Sequence, residues 1–267
     1  MSILEIIQFA FVQKALIAGS FVALLCSVLG LFLVLQRLSL IGDGLSHVSF
    51  GAVALGLFLG FYPIYFAIPI VAAASLLIIR LAKKGRIYGD AAIGIVSSVG
   101  IAAGVILASL SGGFNVDLFG YLFGNILAIS VLEMHISIAL SLLVLLVVYF
   151  FYYDLFSITF NEEYAKTTGI KTEAINSLLV VLTGITVVLA VKIVGVMLVS
   201  ALLILPASAA LQLGRGFKTT LVLAELFSIF SVSAGVIVSI IFNIPAGATV
   251  VLVNFLIFVF TFSLKRA

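Results

Sequence analysis

Stretches of about 20 apolar residues recur along almost the whole chain, which is the length that a helix needs to cross a bilayer. Charged residues make up only 9% of the 267 residues, whereas about 25% is usual in soluble domains. The alternation of apolar and polar residues that is typical of membrane β-barrels is absent. The sequence therefore predicts an all-α integral membrane protein, with residues 1–267 forming one polytopic helical bundle.

Hydropathy and helix breakers predict about nine transmembrane spans, with eight as the alternative. The predicted spans are 12–35, 41–60, 62–81, 91–110, 131–153, 174–191, 193–213, 221–242 and 246–264. The apolar stretch 118–129 is too short to cross, and Asn115, Asp117 and Asn125 bracket or interrupt it. We expect this stretch to form a re-entrant or surface helix.

Basic residues predict the orientation. Nine crossings that start outside place eleven of the thirteen Lys and Arg residues in the cytoplasm, as the positive-inside rule requires, and leave Lys14 and Lys192 outside. The cytoplasmic set is Arg37, Arg80, Lys83, Lys84, Arg86, Lys166, Lys171, Arg215, Lys218, Lys265 and Arg266. We therefore expect a multi-pass protein of the cytoplasmic membrane, surrounded by lipid, with its N-terminus outside and its C-terminus in the cytoplasm. The net charge of +3 then reflects orientation, and no nucleic-acid partner is expected.

A carboxylate and an imidazole interrupt the second predicted span. Asp43 and His47 are four residues apart, so on a helix they share one face, and ionisable groups inside a membrane are usually functional. Divalent transition metals accept both ligands. The alternative is structural: Asp43 would cap the helix or pair with Arg37, and His47 would bond a carbonyl. The pairing favours a metal site, and because two ligands do not complete a coordination shell, we expect a two-fold dimer to supply four.

The longest polar interval of the chain is 154–173, on the predicted cytoplasmic side. Its centre predicts a short helix that Asn161 or Thr159 caps and Gly169 ends. An ordinary solvated loop is the alternative.

Three further acidic or imidazole side chains have weaker claims to function. Glu133 and His135 lie at the outer end of the fifth span, where they could help to form a funnel through which the ion enters, although solvation at the surface is the preferred explanation. Glu225 follows Lys218 closely and is expected to form an interfacial ion pair.

Several segments, in this order, resemble the permease of zinc and manganese ABC importers over nearly the full chain. They are 37–51, 115–118 with 121–124, 192–195 with 203–207, and 244–247. The resemblance places Asp43 and His47 where that family has its Asp and His pair. Asn243 departs from the pattern, since relatives commonly carry a carboxylate there.

The resemblance also implies partners. The family's permease is a homodimer bound to two ATP-binding subunits and supplied by an extracytoplasmic metal-binding protein. By resemblance, the helix containing Glu162, Glu163, Ala165 and Gly169 is the coupling helix that docks into the ATPase.

The chain lacks the motifs of an enzyme. It has no Gly-Lys dipeptide and hence no phosphate loop, so we expect ATP on a separate subunit and no cofactor in this chain. Metalloprotease and serine-hydrolase motifs are also absent. Alternatives to an ABC permease are a proton-coupled secondary transporter, with the same Asp43 and His47 as its relay, and a membrane scaffold.

The transported ion is expected to be zinc. Four protein ligands suit a tetrahedral ion, and the segments 121–124 and 244–247 look most like those of zinc-uptake permeases. Manganese and iron(II) are the alternatives, because the same ligands accept them.

Overall fold

The computed structural model describes residues 8–84, 87–111, 116–214 and 216–266. In these ranges the chain forms helices and no strand. The helices are α1 (Ala10–Leu35), α2 (Leu40–Phe58), α3 (Pro63–Lys84), α4 (Gly89–Leu110), α5 (Val116–Phe123), α6 (Val131–Phe150), α7 (Tyr152–Phe160), α8 (Glu162–Thr167), α9 (Thr172–Val194), α10 (Val199–Leu213), α11 (Phe217–Phe242) and α12 (Ala246–Arg266). Arg86, Asn115 and Arg215, which the sequence analysis used, lie outside the described residues.

Eight of the described helices are long and apolar enough to cross a membrane: α1, α2, α3, α4, α6, α9, α11 and α12. This confirms the all-α membrane fold and favours the alternative count of eight full-length spans. The predicted span 193–213 is wrong as a continuous helix, because α9 continues to Val194 and α10 has only 15 residues. The predicted span 131–153 ends early, at Phe150, where the separate helix α7 follows.

Polar contacts define one end of the bundle, which we call the lower end. The Gln36 side chain, just after α1, donates a hydrogen bond of 3.0 Å to Thr159 Oγ1 of α7. Lys83 Nζ of α3 lies 3.2 Å from Glu173 Oε1 at the start of α9. The lower end therefore holds the C-terminal ends of α1 and α3, the helices α7 and α8, and the first turn of α9.

The opposite, upper end holds the loop between α2 and α3 and the first turn of α6. Lys192 Nζ, in the last turn of α9, lies 3.3 Å from Glu133 Oε1 of α6. The first turn of α12 is also here, because Gly247 lies against the Val194 and Phe123 carbonyls. From this region α10 runs back past α1, where Gly30 contacts the Leu203 backbone, and ends just before α11 begins. The short helix α10 is thus an additional pass through the bundle.

At the break between α9 and α10, the main chain packs directly against the main chain that follows α5. Gly195 and Gly124 both have positive φ, of 95° and 76°, and lie directly against each other. The Val196 N–H donates to the Tyr121 carbonyl at 3.0 Å, and the Asn125 N–H donates to the Lys192 carbonyl at 3.1 Å. Non-helical backbone at membrane depth persists only where such groups are satisfied inside the protein.

The predicted re-entrant or surface segment 118–129 is one side of this break. It consists of α5 and a 3₁₀ turn over Ile126–Ala128. Tyr121 and Ile126 are buried and Phe123 is half exposed, so one side of the segment packs into the bundle and the other remains open. The expectation of a short, non-crossing helix is confirmed.

We predict that Gly195→Ala destabilises the protein far more than Gly60→Ala, although both positions have positive φ. A Cβ at Gly195 would lie 2.5 Å from Gly124 N and Leu122 O, whereas at Gly60 it would meet no atom within 4 Å. The left-handed backbone alone should cost Gly60→Ala about 1–2 kcal/mol. Thermal unfolding in detergent measures the difference, and equal unfolding temperatures would contradict this description of the break.

Candidate metal site

The helix α2 is almost entirely enclosed by the rest of the chain. From residue 41 to residue 54 only Asp43 and His47 are not buried. Glycines allow this enclosure: Gly44 contacts Ile93 of α4, and Gly51 lies against the Gly100 backbone. Small residues permit such close approach between membrane helices. Asp43 and His47 therefore share one face of α2, as their spacing predicts, and that face is the part of residues 41–54 that remains accessible.

The two side chains stand next to each other on that face. His47 Nε2 lies 3.6 Å from Asp43 Oδ2, and the side chains are 24% and 46% exposed respectively. Two ligand atoms on one ion, each with a bond of about 2.1 Å, lie about 3.4 Å apart at a tetrahedral angle. The observed separation therefore suits shared binding of one cation with little movement.

Asp43 neither caps α2 nor pairs with Arg37 in the described part of the chain, which were the structural alternatives for this residue. The N-cap position of α2 is Ser39, so Asp43 is not the cap. Within the described ranges Asp43 forms an ion pair with His47, and no ion pair with Arg37 or another Lys or Arg is present. The pair thus remains accessible to a ligand.

One chain supplies an incomplete ligand set. Among the residues that the structure describes, no three His, Cys, Asp or Glu side chains come together in a way that could hold a metal ion. A metal ion bound by Asp43 and His47 would therefore need further ligands from water or from a second chain.

Glu133 and His135, the candidates for an ion funnel, are not brought together. Residues two apart on a helix point in different directions. Glu133 is buried, so the preferred explanation of surface solvation is wrong for it. Its carboxylate accepts from the Ser130 N–H at 2.8 Å while Ser130 Oγ accepts from the Glu133 N–H, which forms a capping box at the start of α6. His135 is exposed, with Nδ1 2.7 Å from the Val131 carbonyl oxygen.

The ion pair of Glu133 with Lys192 was missed by the sequence analysis. Lys192 Nζ also lies 4.8 Å from the centroid of the Tyr121 ring, and a cavity of about 220 Å³ adjoins the cluster. Burial and the Glu133 carboxylate raise the pKa of Tyr62, in the neighbouring loop, to about 12. One signal in the sequence was available: Lys192 is one of two basic residues that the predicted topology leaves outside, where the positive-inside rule disfavours them. An acidic partner close to Lys192 could have been predicted from this.

The predicted short helix in the polar interval is present as α8. Asn161 is its cap, because Asn161 Oδ1 accepts from the Tyr164 N–H at 2.9 Å. Gly169 follows the helix with φ of 88°, and the Ile170 N–H returns to the Ala165 carbonyl, as expected for a glycine that ends a helix. The predicted start and stop signals are both confirmed.

The four predicted coupling residues divide into two groups. Ala165 is fully buried, so it anchors α8 to the rest of the protein and is not available to a partner. Glu162, Glu163 and Gly169 are exposed, and Glu162 Oε1 lies 3.0 Å from Lys166 Nζ. Apart from Ala165, every residue of α8 is open to a partner.

Comparison with known proteins identifies relatives over nearly the full length. The model of the ABC 3 transport family matches residues 8–265. The chain is 33% identical to the manganese transport system membrane protein MntC of Halalkalibacterium halodurans, over 97% of this chain and 88% of the relative. It is 36% identical to the manganese import system permease protein ScaB of Streptococcus gordonii, over 96% of this chain and 91% of the relative.

A solved structure supports the same relationship. PsaBC from Streptococcus pneumoniae, in complex with Fab, contains a chain that superposes with a TM-score of 0.88 at 32% identity. The superposition covers 97% of this chain and 94% of that one.

We predict that Glu133→Gln lowers the free energy of unfolding by about 3 kcal/mol, because Gln can still cap α6 but leaves the Lys192 charge unpaired. Glu133→Gln combined with Lys192→Met should restore most of the loss. The matched control is Glu162→Gln, which breaks an exposed ion pair and should cost little. Chemical unfolding in detergent measures all three, and a double variant no more stable than Glu133→Gln would contradict this account.

Proposed function

We propose that this chain, which belongs to the ABC 3 transport family and is a permease of a metal ABC importer, carries manganese through a path lined by Asp43 and His47 of two identical subunits. The burial pattern of α2 is the observation that supports this most directly. Every residue of α2 from 41 to 54 is buried except Asp43 and His47. A cation next to this part of α2 would therefore meet one carboxylate and one imidazole as ligands.

A homodimer completes the ligand set. If the exposed face of α2 lies at a two-fold axis, two Asp43 carboxylates and two His47 imidazoles converge on one ion. Such a set holds the ion without thiolates, and it is looser than a resident structural site. Weak, open coordination suits a transport path, because the ion must leave as readily as it enters.

The identity of the ion is argued from ligands and relatives together. Two nitrogens and two carboxylates accept zinc, manganese and iron(II). The relatives in Halalkalibacterium halodurans and Streptococcus gordonii are named as proteins of manganese transport and manganese import systems, and this favours manganese over zinc. With manganese, water molecules would complete a six-coordinate shell around the four protein ligands. The expectation of zinc from the sequence stays a prediction and is the second candidate.

Energy for transport is proposed to come from two ATP-binding subunits at the lower end, with a metal-binding protein delivering the ion at the upper end. The exposed surface of α8 is the proposed contact with the ATP-binding subunit. Because Ala165 packs α8 against the bundle and the turn at Gly169 leads directly into α9, a displacement of α8 by its partner would be transmitted to α9.

The lower end is accordingly proposed to be cytoplasmic. Lys83, Lys166, Lys171 and Lys218 gather there, as the positive-inside rule requires. The short α10, at about 1.5 Å per residue, spans about 22 Å, so the buried break must supply the remaining depth of this additional pass.

The first prediction concerns the metal pair. His47→Ala and Asp43→Ala should abolish manganese accumulation by cells that depend on this importer, because each removes two of four ligands in the dimer. The matched control is His135→Ala, the only other histidine, which is exposed and outside the site. Cellular metal content measured by mass spectrometry decides the result. Loss of zinc with unchanged manganese would assign zinc, and equal loss in all three variants would remove the special role of the pair.

A second prediction concerns coupling. Gly169→Val should reduce both uptake and transport-stimulated ATPase activity at least tenfold, because it distorts the end of α8. Gly60→Val is the control, since Gly60 also has positive φ and open surroundings but lies at the upper end. Both variants carry similar backbone strain, so a similar loss of ATPase stimulation would show that strain alone is responsible.

A third prediction tests orientation. In a background where the buried Cys26 is replaced by Ala, cysteines at Lys166 and Gly216 should be shielded from an impermeant thiol reagent added to intact cells. Cysteines at Gly60 and Asn243 should react. Labelling of Lys166→Cys from outside would reverse the proposed topology.

A further inference from the structure

We infer that Ser46 is a positioning residue for the metal pair, and that it ties the turn of α2 that carries Asp43 and His47 to the break between α9 and α10. The inference rests on the proposed function of that pair. Ser46 is not itself a ligand, because it is fully buried, whereas the side chains of Asp43 and His47 remain partly exposed.

The Ser46 hydroxyl contacts two carbonyl oxygens from separate parts of the fold. Its Oγ lies 2.7 Å from the carbonyl of Asp43, one turn earlier in α2, and 3.0 Å from the carbonyl of Val196 in the break. One hydroxyl hydrogen is therefore shared between the residue that holds the carboxylate and a residue 150 positions away.

The backbone of Val196 is hydrogen-bonded on both sides. Its N–H donates to the Tyr121 carbonyl of α5 while its carbonyl accepts from Ser46. A single residue of non-helical backbone thus links α5, the break and α2. A displacement of the break in the transport cycle would reach α2 at the residue between Asp43 and His47.

Close packing around the same turn restricts other movements. Gly42 contacts the Leu203 side chain of α10, and Gly44 contacts Ile93 of α4. The turn is therefore held sterically on two sides and by a hydrogen bond on a third. Since a ligand pair binds well only when its geometry is held by supporting contacts, loss of the hydrogen bond should loosen metal binding.

The same helix offers a matched control. Ser49 is also fully buried, but within the described part of the chain its Oγ has no hydrogen-bond partner. Ser49→Ala removes the same atom from the same helix and breaks no such contact. A difference between Ser46→Ala and Ser49→Ala therefore reports the loss of the Ser46 hydrogen bond shared by the Asp43 and Val196 carbonyls, and not the loss of a buried hydroxyl as such.

The test is a titration with Mn²⁺ alone of the purified complex of permease and ATP-binding subunits, followed by electron paramagnetic resonance of the free ion. Loss of one hydrogen bond should weaken binding about fivefold to tenfold in Ser46→Ala. Ser49→Ala should stay within about twofold of the unchanged protein, and Ser46→Thr, which keeps the hydroxyl, should restore binding. Unfolding temperatures are measured in parallel.

The outcomes separate this inference from the proposed function. A purely structural Ser46 would lower the unfolding temperature of Ser46→Ala and leave Mn²⁺ affinity unchanged, which would overturn the inference. Equal weakening in Ser46→Ala and Ser49→Ala would also overturn it. If Asp43→Ala bound Mn²⁺ as well as the unchanged protein does, the proposed site itself would fall, whatever the serine variants show.

Discussion

The need to satisfy every backbone hydrogen-bonding group without water shapes the whole protein. Continuous helices satisfy these groups internally, and eight helices in the part of the chain that the structure describes are long enough to cross a membrane. Two interrupted segments, α5 with its 3₁₀ turn and the stretch between α9 and α10, satisfy them by contacting each other and α2. Gly124 and Gly195 allow their backbones to touch, and Val196 bonds Tyr121 on one side and Ser46 on the other. Asp43 and His47 therefore lie on a helix that is hydrogen-bonded through Ser46 to the break between α9 and α10.

Local signals were sufficient for much of the fold and of the site. Hydropathy located the long helices because each apolar run is as long as the membrane is thick. The cap by Asn161 and the stop at Gly169 follow from the preferences of single residues at helix ends, so they were predictable without tertiary contacts. Asp43 and His47 were identified by their spacing, since i and i+4 positions share a helix face in any context.

Features that depend on distant parts of the chain could not be predicted in the same way. The run 193–213 is apolar throughout, and hydropathy cannot show that Gly195 adopts positive φ against Gly124. Glu133 was expected in solvent because its partner Lys192 is far away in sequence. Ala165 was assigned to a partner contact by resemblance, but its burial shows which face of α8 lies against the bundle. For Gly195 and Glu133 the deciding contact joins segments that are far apart in the sequence.

Each chain is proposed to hold half of a metal site, which a second copy of the chain completes. Native mass spectrometry of the purified complex loaded with Mn²⁺ tests this directly by counting ions per assembly. We predict one ion for every two copies of this chain, and we expect this ion to be lost when Asp43 is replaced by Ala in both copies. One ion bound per chain, or an ion retained by the Asp43→Ala complex, would contradict it.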